Sequence, residues 1–528
     1  MIDVARVDAA PGRTASRPLL PLSIATFTGV IGGIANAAAF PGLGWWPLIF
    51  VGTPLILASL VGRRFWGSLL VGLLAGFAFW GTHIFWLTIY LGAVPWLALA
   101  GLETIFFALG CVLISLAWRW GQRAFPSAWG RRALVPVLVA ALWMTREYVS
   151  STWPYGGFSW GRLAFSQSES PFGSLASWVG VSGLTFLIAL VSALIVQAVR
   201  ELSRRRLLLA APAALLLVML LVPTFPVAYS GTARIAAVQG NSNAGLFAEY
   251  ERGEILQNHL DATEPLYGDD VDLVVWPENA ADIDPLREPF AASALDRVTD
   301  QLSAPLVAGT FTVDGDDIYN SVLLWENGTG AVDQYDKINP VPFAEYIPDR
   351  DFWYPLAPEL LSLIPRDYSI GTRDNIVELV GDSGQAIVGG VAICFDIVSD
   401  ASMRQMIDDG ANIILAPTNN ADFGQSDESV QQLAIARMRA IETGRSVVNT
   451  STVGTSAIIA PDGSTIDRLP TFEPGSMVED VPLSTTTTAA TAIGRELELA
   501  IVGLGLLGLA AAGVLARRAA RAGGRSRA

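Results

Sequence analysis

Eight apolar stretches constrain this chain more than any other feature of its sequence. A membrane-spanning helix needs about 20 predominantly apolar residues. Only 16% of the 528 residues are charged, whereas soluble domains have about 25%. The sequence therefore predicts a multi-span α-helical membrane bundle. The eight predicted spans are residues 19–40, 45–62, 65–88, 93–118, 133–149, 173–199, 206–228 and 495–516.

The distribution of arginine predicts the orientation of these spans. Loops 41–44 and 89–92 have no Lys or Arg, and loop 150–172 has only Arg162. The other connections and both ends are basic, as is typical of the cytoplasmic side. Both termini are therefore predicted to be cytoplasmic, with residues 229–494 outside the cytoplasm. The basic residues predicted to lie on the cytoplasmic side are Arg6, Arg13, Arg17, Arg63, Arg64, Arg119, Arg123, Arg131, Arg132, Arg200, Arg204, Arg205, Arg206, Arg517, Arg518, Arg521, Arg525 and Arg527.

The first apolar stretch has a second interpretation, as a cleaved signal peptide. Ala35-Asn36-Ala37 resembles a cleavage site. The apolar run is long for a signal peptide and leads directly into another span, so we favour an uncleaved helix. Residues 229–494 are predicted to lie outside in either case.

Residues 229–494 differ from the rest, because acidic residues become common and short apolar runs alternate with helical periodicity. This alternation predicts a layered α/β domain with buried strands. The predicted strands are 233–238, 272–276, 306–311, 319–325, 386–394 and 412–416, and the predicted helices are 247–266, 288–302, 399–409 and 428–443. Asn327-Gly328 and Asp462-Gly463 predict hairpin turns, and residues 484–491 predict a linker. The predicted domains are 1–228 (seven spans), 229–494 (catalytic), 495–516 (last span) and 517–528 (basic tail).

Composition excludes several kinds of site. A net charge of -15 argues against nucleic acid as a partner, because phosphate binding needs clustered Lys and Arg. With two cysteines and two histidines, neither a disulfide framework nor a Cys/His zinc cluster is expected. We expect no metal and no cofactor.

Reactive side chains lie at the ends of two predicted strands and after a predicted hairpin. Val274-Val275-Trp276-Pro277-Glu278 ends on a carboxylate, Tyr335-Asp336-Lys337 holds the only lysine, and the strand ending at Cys394 presents a thiol. Sites in layered α/β domains form at the carboxyl ends of strands. A carboxylate can deprotonate a thiol, and an ammonium group stabilises a thiolate and an oxyanion. These three residues are therefore sufficient for acyl transfer without histidine.

The structural alternatives for the same residues are ordinary ones. A lone buried cysteine is usually a small apolar residue, a Glu after Trp-Pro is often a helix cap, and a lone lysine is often on the surface. Cys111 and His83 lie in apolar spans. His259 lies on a predicted helix, where we expect it to be solvated rather than catalytic.

The three segments resemble a known pattern. Trp276-Pro277-Glu278, Tyr335-Asp336-Lys337 and Ile393-Cys394-Phe395-Asp396 are similar to the Glu–Lys–Cys triad of the nitrilase (carbon–nitrogen hydrolase) superfamily. The membrane context resembles the apolipoprotein N-acyltransferase family within it, as do residues 337–348 and 436–445. The resemblance implies an αββα sandwich on a membrane bundle. It also implies roles for Glu278 as general base, Lys337 as oxyanion stabiliser and Cys394 as nucleophile, with Glu345 in support.

The resemblance implies a two-step reaction in the bacterial cytoplasmic membrane. Cys394 would take an acyl chain from a phospholipid as a thioester. The α-amino group of an S-diacylglyceryl cysteine, at the N-terminus of a lipoprotein, would then accept the chain, as in ping-pong catalysis. We expect the chain to act as a monomer.

Two segments predict how a lipid would bind. Residues 338–370, here called the lid segment, lack regular periodicity and are rich in aromatic residues; long loops of this kind are often lids. Residues 153–160, the outer loop, lie on the same side of the membrane. Interfacial anchoring is the alternative for both. The candidate substrate-binding residues are Phe343, Tyr346, Trp353, Asp396, Asn419 and Trp153.

Two positions depart from the family pattern. Asp396 stands where Glu is frequent, and Asp422 stands where Trp is expected. A membrane-tethered amidase, with water as the final acceptor, is the main alternative function. A transporter or sensor with an inactive domain is the other, and it predicts more ionisable residues within the spans than Glu103, His83, Arg146 and Glu147.

Overall fold

The computed structural model describes residues 17–201, 206–243, 245, 248–364, 367–381 and 384–525. The predictions that rest on Arg6, Arg13, Arg204, Arg205 and Arg527 lie outside these residues. The start of the helix predicted over 247–266 also falls partly outside them.

The N-terminal part of the chain is helical. Within the described residues, five helical stretches are long and apolar enough to cross a membrane: Phe65–His83, Ala93–Ala124, Gly130–Ser150, Gly173–Glu201 and Ala489–Ala522. Three shorter apolar helices, Leu22–Ala38, Trp46–Leu60 and Leu207–Leu221, coincide with the remaining predicted spans. The α-helices of this part are α1 (Leu22–Ala38), α2 (Ile49–Leu60), α3 (Phe65–His83), α4 (Leu87–Leu91), α5 (Ala93–Ala124), α6 (Val135–Ser150), α7 (Ala176–Glu201) and α8 (Ala210–Leu221).

Small residues allow the first helices to pack closely. A side chain built on Gly33 of α1 would place its Cβ 2.3 Å from the carbonyl oxygen of Ala75 on α3. The backbones therefore approach to a distance that only glycine permits, which is a common way for apolar helices to associate.

Residues 229–484 form two six-stranded sheets. The first sheet has the strand order β12-β1-β2-β3-β4-β5, and the second has the order β11-β10-β9-β8-β7-β6. The central pairs β1–β2, β2–β3, β7–β8 and β8–β9 are parallel, and the outer pairs are antiparallel. The strands are β1 (Tyr229–Gln239), β2 (Leu273–Val275), β3 (Leu306–Asp314), β4 (Asp317–Glu326), β5 (Gly330–Asp336), β6 (Ile376–Val380), β7 (Ala386–Val391), β8 (Ile413–Thr418), β9 (Ser446–Ser451), β10 (Ala457–Ile459), β11 (Thr465–Arg468) and β12 (Gly475–Ser484).

Helices cover the outer faces of both sheets, which makes the predicted αββα sandwich. The remaining helices are α9 (Glu254–Thr263), α10 (Pro289–Leu302), α11 (Arg350–Trp353), α12 (Pro358–Leu361), α13 (Asp400–Asp408), α14 (Glu428–Thr443) and α15 (Ala489–Arg525). Apolar residues of both sheets, such as Val275 and Leu415, form the central core. Helices α9 and α10 cover the first sheet. The apolar cluster behind the second sheet continues through α13 and α14 into the membrane helices. Helix α14 therefore lies between the second sheet and the membrane part.

The predicted elements differ from the structure at several points. Strands β5, β6, β9, β10, β11 and β12 were not predicted, although both predicted hairpin turns join adjacent strands. The strand expected to end at Cys394 ends at Val391. The predicted linker 484–491 is divided, because β12 extends to Ser484 and α15 begins at Ala489. Helix α15 also extends beyond the predicted end of the last span.

The prediction that His259 is solvated is wrong. Its side chain is fully buried, with Nδ1 2.8 Å from the Ile255 carbonyl oxygen and the ring 5.8 Å from that of Trp276. Burial lowers the pKa of His259 to about 4, so the imidazole is neutral. The ring packs behind the strand that leads to Glu278 because α9 lies flat on the first sheet.

Candidate active site

Glu278 lies just beyond the carboxyl end of β2, where the backbone packs tightly against β3. A Cβ on Gly309 of β3 would lie 2.2 Å from the Pro277 carbonyl oxygen and 2.7 Å from the Glu278 Cα. Glycine at this position therefore allows the turn to sit against the sheet. The Glu278 side chain is only 5% exposed.

Lys337 lies directly after β5 and contacts two carboxylates. Its Nζ is 3.2 Å from Oε1 of Glu278 and 3.0 Å from Oε1 of Glu345. Asn320 of β4 bridges the same carboxylates, since its Nδ2 donates to Glu278 over 2.7 Å and to Glu345 over 2.8 Å. The other oxygen of Glu345 accepts the Val341 backbone N–H over 2.6 Å. The carboxylates are therefore held around one buried ammonium group.

Burial and charge act in opposite directions on Lys337. Burial lowers the pKa of its ammonium, but the negative charges of Glu278 and Glu345 outweigh burial. The pKa of Lys337 is held well above its usual value. Lys337 therefore remains a cation and cannot serve as the base.

Cys394 begins a short 3₁₀ helix, Cys394–Val398, that follows β7. Its φ of +50° lies in the left-handed region, which non-glycine residues rarely adopt. Burial and the charge of Glu278 raise the pKa of the thiol, whereas the charge of Lys337 lowers it. The structure therefore brings Glu278, Lys337 and Cys394, which are far apart in the sequence, close enough for the two charged groups to affect the thiol.

Asp396 belongs to this turn, and both oxygens of its carboxylate accept hydrogen bonds from other groups of the protein. Tyr335 donates its hydroxyl to Oδ2 over 2.8 Å, and Asn339 donates to Oδ1 through its side-chain amide over 2.8 Å. The Ile393 backbone N–H also donates to Oδ2, over 3.2 Å. Burial raises the pKa of Asp396 to about 6, in spite of the nearby Lys337 charge. These bonds connect the turn at Cys394 to the segment after Lys337.

A buried arginine on α14 supports the far end of the same turn. Arg439 donates from Nε to the Ile397 carbonyl over 2.9 Å and from Nη2 to the Val398 carbonyl over 2.8 Å. Its Nη2 also lies 2.7 Å from Oδ1 of Asp400. Asp400 in turn pairs with Arg162, which follows the outer loop, over 2.7 Å. Charged side chains thus link the turn to the membrane part.

Sequence analysis missed a second group of polar residues beside the thiol. Gln432 of α14 points Nε2 at the Cys394 Sγ over 3.5 Å. Asn420 donates to Oε1 of Gln432 over 2.7 Å and to Oε2 of Glu428 over 2.8 Å. All three side chains are buried. Buried amides on a helix that faces the site are the signal that sequence analysis could have used, as is the amide of Asn320 within an apolar strand.

The outer loop and the lid segment contact each other. Tyr155 donates its hydroxyl to Oδ2 of Asp349 over 2.7 Å and accepts the Trp353 Nε1–H over 3.1 Å. Phe343 packs edge-on against Tyr155 and Trp353, at 6.2 and 5.4 Å between ring centroids. Trp153 points elsewhere, is 62% exposed and contacts Phe106 of α5.

Phe395, the residue after Cys394, joins an aromatic stack with the outer loop. The Phe395 ring lies parallel to those of Phe158 and Trp160, with centroids 6.1 and 6.5 Å away. Of the other candidate residues, Tyr346 is half-buried in the lid segment. Asn419 lies in the loop after β8, where its side-chain oxygen accepts the Ala421 N–H over 3.1 Å.

Comparison with known proteins identifies both parts of the chain. A family model described as the apolipoprotein N-acyltransferase N-terminal domain matches residues 32–194, and one described as carbon-nitrogen hydrolase matches residues 234–491. The apolipoprotein N-acyltransferase of Mycolicibacterium smegmatis is 31% identical, over 91% of this chain and 83% of the relative. Those of Azotobacter vinelandii and Shewanella oneidensis are 31% and 27% identical, over 81% and 82% of this chain and 83% and 85% of the relatives. The chain therefore belongs to the apolipoprotein N-acyltransferase family.

Proposed function

We propose that this chain moves an acyl chain from a phospholipid to the α-amino group of the S-diacylglyceryl cysteine of a lipoprotein. One observation carries the proposal. The thiol of Cys394 shares a site with a carboxylate and an ammonium group whose positions are set by Asn320 and Glu345. Such a site performs acyl transfer through a covalent intermediate.

The first step loads Cys394. Glu278 accepts the thiol proton, and Sγ attacks the carbonyl carbon of the phospholipid ester. Lys337 stabilises the oxyanion of the tetrahedral intermediate, as preorganised charges do in acyl transfer. The ester C–O bond then breaks, Glu278 returns the proton to the leaving alkoxide, and a lysophospholipid departs. Glu345 keeps Lys337 in place.

The second step unloads the thioester. The neutral α-amino group of the lipoprotein attacks the thioester carbonyl, and Glu278 accepts a proton from the attacking nitrogen. The C–S bond breaks, the electron pair returns to Sγ, and Glu278 gives the proton to the sulfur. The products are the amide and the free thiol, so the site is ready for another phospholipid.

The lid segment and the outer loop give this reaction access to lipid. Phe352 and Leu356 of the lid segment are 62% and 66% exposed, although large apolar side chains are usually covered. We infer that they lie against the membrane surface, with Phe343, Tyr346 and Trp353 on the acyl-chain path. Asn419 is assigned to the rim of the same path, whereas Trp153, which contacts Phe106, is assigned to anchoring of the outer loop at the membrane surface. Asp396 enters the proposal as a positioning residue because its oxygens are taken up by protein donors.

The proposal includes the arrangement in the membrane. Eight spans place residues 229–494 outside the cytoplasm and both termini inside it, in the bacterial inner membrane. The domains are then 1–228, 229–494, 495–516 and 517–528, and the chain acts as a monomer. The arginine distribution supports this topology.

The test is to incubate the purified full chain with a phospholipid that carries a labelled acyl chain. We expect a hydroxylamine-labile adduct on Cys394 that the Cys394→Ala variant lacks and the Cys111→Ala variant keeps. Absence of the adduct in the parent chain, or its presence in Cys394→Ala, would contradict the mechanism. Addition of a diacylated lipopeptide should then move the label to the peptide. Release of free fatty acid alone would indicate a hydrolase.

A further inference from the structure

Gln432 is the side-chain amide that the structure places against the reacting sulfur. It lies on α14, is 2% exposed, and its Nε2 is 3.5 Å from the Cys394 Sγ. A nitrogen–sulfur distance of this size is ordinary for a hydrogen bond, because sulfur is larger than oxygen. Its neighbour Gln431 points the other way, toward Trp86 and Trp160 of the membrane part.

The hydrogen bonds around Gln432 determine which end of its amide faces the sulfur. Oε1 accepts from the Thr418 hydroxyl over 3.0 Å and from the Asn420 amide over 2.7 Å. A reversed amide would direct its own N–H groups at those donors, and buried donors without acceptors are costly. Asn420 is oriented in turn, because its oxygen accepts from Ser451 over 2.7 Å. The amide nitrogen of Gln432 is therefore directed at Sγ.

The charges around the sulfur explain what such a donor contributes. Burial, Glu278 and Glu428 raise the pKa of the thiol, whereas the charge of Lys337 and a hydrogen bond with Thr418 lower it. Lys337 already contacts Glu278 and Glu345. A neutral donor can stabilise negatively charged sulfur without weakening Glu278 as a base. A second cation would stabilise the sulfur too, but it would also lower the basicity of Glu278.

We propose that Gln432 is a catalytic residue, whose side-chain N–H donates to the Cys394 Sγ and stabilises the sulfur whenever it carries negative charge. This inference rests on the proposed function for its place in the cycle. Sulfur is negative when Glu278 has taken the thiol proton, and again when the thioester C–S bond breaks and the electron pair returns to Sγ. One amide thus assists both the nucleophile and the leaving group.

The experiment measures the thiol without any acyl substrate. Cys111→Ala removes the other cysteine, so alkylation of the full chain by iodoacetamide, followed by intact-protein mass spectrometry, reports on Cys394 alone. The alkylation rate is measured against pH in Gln432→Met, which has a similar shape and no donor. We expect the apparent thiol pKa to rise by about one unit, since hydrogen bonds to charged groups are worth about that much.

A second variant separates loss of the donor from loss of packing. Gln432→Glu keeps an oxygen for Thr418 and Asn420 and has nearly the same shape, but it puts a carboxylate oxygen against Sγ. Its negative charge adds to the loss of the donor, so we expect a larger rise than in Gln432→Met. Gln431→Met, on the same helix, is the matched control and should leave the alkylation profile unchanged. The charged groups whose fields reach Sγ are Glu278, Lys337 and Glu428, and all remain in every variant.

The outcomes are distinct. An unchanged profile in a folded Gln432→Met or Gln432→Glu chain would overturn the role of Gln432, as would an equal shift in Gln431→Met. Thioester formation from labelled phospholipid should fall about tenfold in Gln432→Met, in line with its thiolate fraction. The Gln432 variants could show the pKa rise while the parent chain, with Gln432 intact, forms no thioester. That result would count against the proposed function and not against the hydrogen bond.

Discussion

The Lys337 ammonium lies 3.2 Å from a carboxylate oxygen of Glu278, and the two side chains are only 2% and 5% exposed. Both charges have been removed from water, so each depends on the other for compensation. Breaking a buried pair by removing one partner costs more than the pair contributes to stability, because an uncompensated charge is left behind.

Replacing Lys337 by Met should therefore affect both stability and chemistry. Glu278 and Glu345 would face each other across Asn320 without a cation. We expect a loss of about 3–5 kcal/mol in the free energy of unfolding and at least a 100-fold fall in thioester formation. Thermal unfolding in detergent and the labelled-phospholipid assay measure the two effects. Adding Glu345→Gln should restore part of the stability but none of the acylation; full recovery of acylation would contradict the role of Lys337.

Glu428 predicts a pH-dependent stability. Burial raises its pKa to about 8 from an ordinary value of 4.5. The folded chain binds this proton more tightly than the unfolded chain, so the contribution to stability is complete below pH 4.5 and is lost as the pH rises through about 8. Glu428→Gln can still accept the Asn420 hydrogen bond but cannot ionise. The stability of the variant relative to the parent should rise between about pH 4.5 and 8, by about 1.4 kcal/mol per pH unit, and then level off. A difference in melting temperature that does not change with pH would contradict this.

Replacing the buried Arg439 should reduce stability much more than replacing an arginine of an exposed ion pair. Its guanidinium is 1% exposed and pairs with Asp400 and with Glu442. Arg439→Met leaves these carboxylates without a cation and removes the donors to the carbonyls at the end of the turn that begins at Cys394. We therefore expect a loss of about 3–5 kcal/mol in the free energy of unfolding, together with a loss of acylation. Arg252→Met is the control, because Arg252 pairs with Glu288 at 68% and 44% exposure. We expect at most about 1 kcal/mol there. Equal losses in denaturant unfolding of the two variants would refute the distinction.

Tyr155→Phe tests the contact between the outer loop and the lid segment. The change removes the hydroxyl that donates to Asp349 and accepts from Trp353, and it keeps the ring against Phe343. Each bond is worth about 1 kcal/mol, so amide hydrogen exchange in residues 349–353 should become roughly three- to tenfold faster. Tyr354→Phe is the control, since its ring lies near Arg350 within the lid segment. Exchange that accelerates equally in both variants would show that the outer loop does not hold the lid segment.

The positions of Glu278, Lys337 and Cys394 near strand ends were predictable because they rest on local patterns. Glu278 lies just beyond the end of β2 and Lys337 directly follows β5, and such positions are visible as apolar or hairpin runs that end on a reactive side chain. The Cys394 prediction was close, although the strand ends at Val391 and a turn with positive φ intervenes. Helix α14 was predicted over the residues it occupies, because its amphipathic period is clear.

Other features depended on contacts that no local pattern reports. His259 was expected to be solvated because its helix is amphipathic, but periodicity does not say how far a neighbouring strand covers a helix face. The Asn320 side chain bridges residues 42 and 25 positions away. The sequence of β4 does not show whether the Asn320 amide bridges two carboxylates or is buried without hydrogen-bond partners.

The amino-acid sequence by itself determined which segments are apolar enough for a membrane and which runs form the buried strands β1, β2, β3, β4, β7 and β8. It also determined that a carboxylate and a thiol follow two of these strands and that a lysine follows a hairpin. Those properties depend on residues close together in the chain, and hydrophobicity and backbone preference act at that range. Only the tertiary structure decided that Glu278, Glu345 and Asn320 surround Lys337, and that Gln432 reaches Cys394 from a position 38 residues away. Hydrogen bonds and ion pairs form only between atoms about 3 Å apart. Which of these contacts form therefore depends on how the fold brings together segments that are distant in the sequence.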